Sequence, residues 1–90
     1  MPTAIVTPAE LVAFARSLSI TAQSVAKRKR KAVQLVSDAG SAWKDAKYVR
    51  FRKSFDQTVK DLDRFVQLAQ EYAQFLERKA ALARKYLDNR

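Results

Sequence analysis

Residues 45–88, DAKYVRFRKSFDQTVKDLDRFVQLAQEYAQFLERKAALARKYLD, decide the fold. Tyr48, Phe55, Leu62, Ala69, Leu76 and Ala83 recur every seven residues, and the interleaved series Phe51, Thr58, Phe65, Tyr72, Lys79 and Tyr86 completes an a/d seam. Lys53, Asp56, Lys60, Asp63, Gln67, Gln70, Gln74 and Glu77 face away and are polar. This pattern predicts one long amphipathic helix with Asp45 as its N-cap. Toward the C-terminus the apolar stripe widens, with Leu68, Phe75 and Leu82 on one flank and Val59, Val66, Ala73, Ala80 and Leu87 on the other. A seam against one partner needs only the a and d positions. The extra width therefore implies more than one neighbouring helix, as in a four-helix bundle formed by dimerisation.

Upstream, residues 39–44 read as a turn that contains Gly40, Ser41, Ala42 and Trp43, with Gly40 placed as the residue after a helix C-cap. A first helix over 7–38 precedes it. Thr7 is a good N-cap, Pro8 fits the first helical position, and Glu10 completes a Thr-x-x-Glu capping box. Leu11, Phe14, Leu18, Val25, Ala32 and Leu35 follow a heptad spacing, with Thr21 and Arg28 as its polar members. Small residues, including Ala13, Ala15, Ser17, Ser19, Ala22, Ser24 and Ala26, would let another helix approach closely. Residues 1–6 read as a short arm.

The chain as a whole, 1–90, is thus expected to be one all-α domain, an antiparallel two-helix hairpin. At 1.5 Å per residue the helices would be about 46 and 66 Å long, so the second must overhang. Folding near residue 42 sets residue 8 opposite residue 76 and leaves 77–90 projecting, with Leu82, Tyr86 and Leu87 apolar and uncovered.

Composition narrows the function. Ninety residues are 48% hydrophobic and 30% charged with one Gly, which argues against disorder and against a turn-rich β fold. The chain has neither Cys nor His, which removes disulfides, thiolate and imidazole metal sites, and Ser/His or Cys/His nucleophile pairs. A two-helix rod also offers no concave pocket to tune the remaining acids and bases, so neither catalysis nor a cofactor is expected. No stretch reaches the ~20 apolar residues of a membrane span. Met1–Val6 lacks the basic and apolar regions of a cleavable signal peptide, so the expected location is the cytoplasm, or outside the cell by a route without a cleaved leader.

Charge is uneven. The net +9 includes +5 from Lys27, Arg28, Lys29, Arg30 and Lys31, while Glu10 and Arg16 cancel in residues 1–26. Five consecutive cations span more than one helical turn and cannot all face solvent. Arg28 falls on the predicted seam, where hairpin register puts it near Asp56. One reading is a solvated face with one paired member; the other is an anion-binding belt for nucleic acid or an acidic partner. The cluster has no exposed aromatics for base stacking and matches no groove-reading motif.

Trp43 in mid-chain, Phe51 eight residues later, flanking amphipathic helices and a length near the family norm together resemble the WXG family. These are small helical-hairpin proteins, relatives of the early secreted antigenic target, that leave bacteria by type VII secretion. The resemblance covers nearly the whole chain and implies a non-catalytic, secretion-associated protein that pairs with itself or with a related small helical protein, with a secretion ATPase as a further partner. Two positions depart from the family pattern. The third motif residue is Asp45 instead of Gly, a residue that can cap a helix. The family's C-terminal signal is a Tyr followed four residues later by an acid, whereas Tyr86 is followed at that spacing by Arg90 and Tyr72 by Leu76.

The expected turn motif is therefore Gly40, Trp43, Asp45 and Phe51. The expected partner-binding residues are Phe55, Leu62, Phe65, Leu68, Tyr72, Phe75, Leu76, Leu82, Tyr86 and Leu87. A fully buried Phe65 would lose ~3–5 kcal/mol on truncation to Ala. Two other functions fit a small basic helical hairpin: weak nucleic-acid binding through Lys27–Lys31, and a filament subunit of the type III needle kind.

Overall fold

The computed structural model describes residues 6–42 and 45–88; residues 1–5 of the expected arm at 1–6, and the expected motif residue Trp43, lie outside the described residues. Two helices, α1 (Pro8–Ala42) and α2 (Ala46–Asp88), lie side by side as an antiparallel hairpin. The Cα trace measures 68 × 27 × 13 Å, one helix layer thick. Its radius of gyration, 19.9 Å, far exceeds the about 12 Å of a compact chain of this length. The protein is a flat rod.

Both helices start on side-chain caps. Thr7 Oγ1 accepts the Glu10 backbone N–H at 3.2 Å, and Asp45 Oδ1 accepts that of Tyr48 at 2.8 Å. Each satisfies one of the orphan donors of a first turn.

The end of α1 differs from expectation. It continues through Gly40 to Ala42, and Gly40 has ordinary helical backbone instead of a left-handed C-terminal conformation. The reason for glycine is space. A Cβ built on Gly40 would overlap the Tyr48 hydroxyl and stand 2.7 Å from Cζ of the same ring. Tyr48, 8% exposed, lays its ring over this gap and donates its hydroxyl to the Val36 carbonyl at 3.1 Å. Arg52 Nη1 donates to the same hydroxyl at 3.3 Å while its Nε reaches Asp56 Oδ1 at 3.0 Å. The Tyr48 hydrogen bond, then Asp56, raises the Arg52 pKa above the ordinary guanidinium value.

The interface between the helices is built from small residues. Buried positions are Ala15 and Ala22 on α1, and Tyr48, Ala69, Ala73, Leu76 and Ala80 on α2. Leu11 and Leu18 pack on the cluster of Ala15, Ala73 and Leu76. With alanines on both sides the backbones can approach toward the short end of the about 8–10 Å range for helix pairs.

This packing corrects the predicted seam on both helices. The series Leu11, Leu18, Val25 and Ala32 does face α2, but its companion is Ala15, Ala22, Lys29 and Val36, not Phe14, Thr21, Arg28 and Leu35, all four of which are exposed. On α2 the companion of Tyr48, Phe55, Leu62, Ala69 and Leu76 is Arg52, Val59, Val66, Ala73 and Ala80; Phe51, Thr58, Phe65, Tyr72, Lys79 and Tyr86 are exposed. Each helix turns its smaller flank inward because that flank permits close contact. Arg28 is exposed and makes no ion pair with Asp56, which is bound to Arg52. Lys29 is the cation facing α2, and it pairs with Asp63 at 2.6 Å. That register also shortens the expected overhang: Ala80 is buried and Ala83 half-buried, while Leu82, Tyr86 and Leu87 remain exposed.

Gly40→Ala should destabilise the hairpin by about 1–3 kcal/mol through overpacking against Tyr48, although the same change in an open helix stabilises by about 0.5–1 kcal/mol. The loss in urea denaturation should shrink in a Tyr48→Phe background, where the nearest clashing atom is gone; independent effects would rule out the contact. Asp45→Ala should cost about 1 kcal/mol and Asp45→Gly only a few tenths, read as midpoint shifts in the same assay.

Candidate partner-binding surface

Turning the small flank of α2 inward leaves its large flank outside. Phe65, Leu68, Tyr72, Phe75, Leu82 and Tyr86 are all exposed, from 43% at Phe65 to 72% at Tyr86. Their spacing alternates three and four residues, and Lys79 occupies the one position missing from the series. They form a second a/d seam on the outside of α2, running along the half of the helix farther from the turn with Lys79 as its one polar member. The rings of Tyr72 and Phe75 stack with centroids 5.7 Å apart, which holds two members of the stripe in fixed relation. Phe51 and Phe55 stack similarly at 5.8 Å near the turn.

The expected partner-binding residues divide accordingly. Phe65, Leu68, Tyr72, Phe75, Leu82, Tyr86 and Leu87 are exposed. Phe55 and Leu62 are half-buried on the α1-facing side, and Leu76, 5% exposed, belongs to the core with Ala15 and Ala73. Of the expected turn motif, Gly40 receives the Tyr48 ring, Asp45 caps α2, and Phe51 is exposed beside Phe55. Sequence reasoning assigns Tyr48, the residue joining Gly40 to Asp45, only to the seam. Its eight-residue offset from Gly40 is no helical period, so only the folded turn brings the two together.

Of the basic run, Lys27, Arg28, Arg30 and Lys31 are exposed, and Lys29 is half-buried against Asp63. An open groove of about 400 Å³ between the helices is lined by Ser19, Gln70, Ala73, Gln74 and Glu77. It has one carboxylate and no base beside its serine. Among the described residues no cluster of His, Cys, Asp or Glu could hold a metal ion, and no helix is long and apolar enough to cross a membrane.

A family model, WXG100, described as proteins of 100 residues with WXG, matches residues 4–85. The chain belongs to the WXG100 family. Members are typically substrates of type VII secretion, made without signal peptides, generally non-catalytic and commonly dimeric with related proteins. No curated protein and no solved structure matches the chain. In this WXG100 protein Asp45, the residue expected at the third motif position, is the N-cap of the second helix.

The rotation of α2 changes what Phe65→Ala should do. At dilute protein concentration it should lower stability by less than about 1 kcal/mol, whereas Leu76→Ala should cost about 2–5 kcal/mol because it empties the only large aliphatic position of the described core. Denaturant titrations of the two variants, run in parallel, compare these losses; equal losses would return Phe65 to the core.

Proposed function

We propose that this WXG100 protein is a non-catalytic, secretion-associated subunit that completes its fold by pairing with a second small helical chain along the outer seam of α2. The exposed stripe from Phe65 to Tyr86 is the observation that carries this reading. Six large apolar side chains at heptad spacing have the pattern of a helix-packing face, whereas the apolar residues exposed singly on α1, Phe14, Ile20 and Leu35, do not.

The hairpin's own core supports the same conclusion. Among the described residues its buried side chains are five alanines, Leu76 and Tyr48. Burying a methyl group contributes little beside the about 1.5–3 kcal/mol of a large apolar side chain, so most of the apolar capacity of α2 is still unused. A partner helix on the outer seam turns a one-layer rod into a two-layer bundle, the minimum architecture that encloses a core. A single contiguous stripe on one helix favours a closed pair over a filament, which needs two complementary surfaces on each subunit. Either a copy of the chain or a relative of similar length can supply the matching seam, and the assembled pair would be the form handled by a type VII secretion ATPase and carried out of the cytoplasm.

Light scattering coupled to size-exclusion chromatography tests the pairing. The purified chain should elute at about twice its 10.2 kDa mass at micromolar concentration, and the triple variant Phe65→Ala, Tyr72→Ala, Phe75→Ala should elute as a single chain with helicity retained. A native chain that stays a stable single-chain species up to millimolar concentration would end this reading.

A further inference from the structure

Four of the five cations of the basic run in α1 are used neither by the hairpin nor by the outer seam of α2. Lys29 is its one member that turns toward α2, half-buried and tied to Asp63 at 2.6 Å. At 100° per residue, Lys27 and Lys31 lie two positions to either side of Lys29 and so point away from α2, with Arg28 and Arg30 on the flanks between. All four are exposed, and none has an ion-pair partner within 4.0 Å among the described residues. The geometry points to a binding site for the phosphate backbone of double-stranded nucleic acid, formed by Lys27, Arg28, Arg30 and Lys31.

Charge spacing supports this ligand class. The four cations occupy five residues of helix, about 6 Å of axis at 1.5 Å per residue, and a duplex presents one negative charge per about 1.7 Å. The cluster is therefore at least as densely charged along its axis as the duplex it would face. The cations also sit mid-way along a 35-residue helix, so their backbone is ordered before any ligand arrives. Residues 8–26 carry only Glu10 and Arg16, which makes the charge a localised step instead of a general property of α1. Other polyanions are less well served. A membrane surface calls for an apolar face beside the cations, yet the exposed Ile20 and Leu35 stand fifteen residues apart, about 22 Å along the axis. Single strands call for aromatic stacking platforms, and Phe14 is the only aromatic residue of α1. Backbone contact of this kind binds without reading sequence.

Fluorescence anisotropy of a labelled 20-base-pair DNA duplex, titrated with the full-length chain at 50–200 mM salt, tests the site. Binding should weaken linearly in log–log form with rising salt. Neutralising Lys27, Arg28, Arg30 and Lys31 to Gln should reduce the slope by about 3–4, near 0.9 for each phosphate that is no longer neutralised. A control variant with Lys53, Lys60, Arg84 and Lys85 changed to Gln removes the same net charge from exposed positions off the outer seam and should leave the slope nearly unchanged, as should Lys29→Gln. Circular dichroism confirms that each variant retains its helices. Absence of duplex binding at 50 mM salt overturns the site, as does an equal loss of slope in the two quadruple variants. Tighter binding to phosphatidylserine vesicles or to poly-glutamate than to the duplex, abolished by the same four substitutions, assigns the cluster to a different anion and also overturns it.

Discussion

Close contact between two alanine-lined helix faces is the constraint from which the other features of this protein follow. Ala15 and Ala22 on α1 meet the face of α2 that carries Ala69, Ala73 and Ala80. Such faces pack because their backbones come near one another, which brings many small dispersion contacts within range. They bury little apolar area per residue, however. The same choice therefore holds the hairpin together and leaves the aromatic flank of α2 without a partner. A seam of Phe and Leu between the two helices would have set them farther apart and turned the aromatic flank of α2 away from solvent.

The hairpin, the two capped helix starts and the seven-residue series through Tyr48, Phe55, Leu62, Ala69 and Leu76 could be read directly from residue pattern. The flank that accompanies that series could not. Phe51, Phe65 and Tyr72 lie on one side of it and Val59, Val66 and Ala73 on the other, and a 3.5-residue period fits both. Side-chain size favoured the aromatic flank, whereas helix separation, which depends on both helices at once, selected the aliphatic one. The same one-position rotation in α1 replaced Arg28 by Lys29 at the interface and moved Phe14 and Leu35 outward. Gly40 posed a different difficulty. A lone glycine near the end of a helix reads as a C-cap, and its true role depends on a ring eight residues away across the turn.

The two surfaces left over are segregated. The outer seam occupies the half of α2 beyond Phe65, and the four exposed cations of the basic run lie on the back and flanks of α1, away from Lys29 and α2. A chain that paired through the seam would still present its cations to solvent, so pairing and anion binding do not compete for the same side chains. The stripe itself is not free of charge, since Lys79 interrupts it at a seam position. A cation at such a position reduces stability but restricts which partner and which register fit, and an acidic side chain opposite it would convert the interruption into selectivity.

Asp45 ties the family motif to the rest of the hairpin. Glycine at the third motif position would leave the Tyr48 N–H without a side-chain acceptor, since glycine has no side chain to offer. Asp45 supplies one at 2.8 Å and so fixes the first turn of α2 at the residue whose ring covers Gly40. From that ring the hydroxyl reaches back to the Val36 carbonyl and receives Arg52. Cap, ring, glycine and guanidinium thus form one connected unit spanning the end of α1 and the start of α2. Aspartate at residue 45 is consistent with the fold because it stabilises this turn through a hydrogen bond that glycine cannot make.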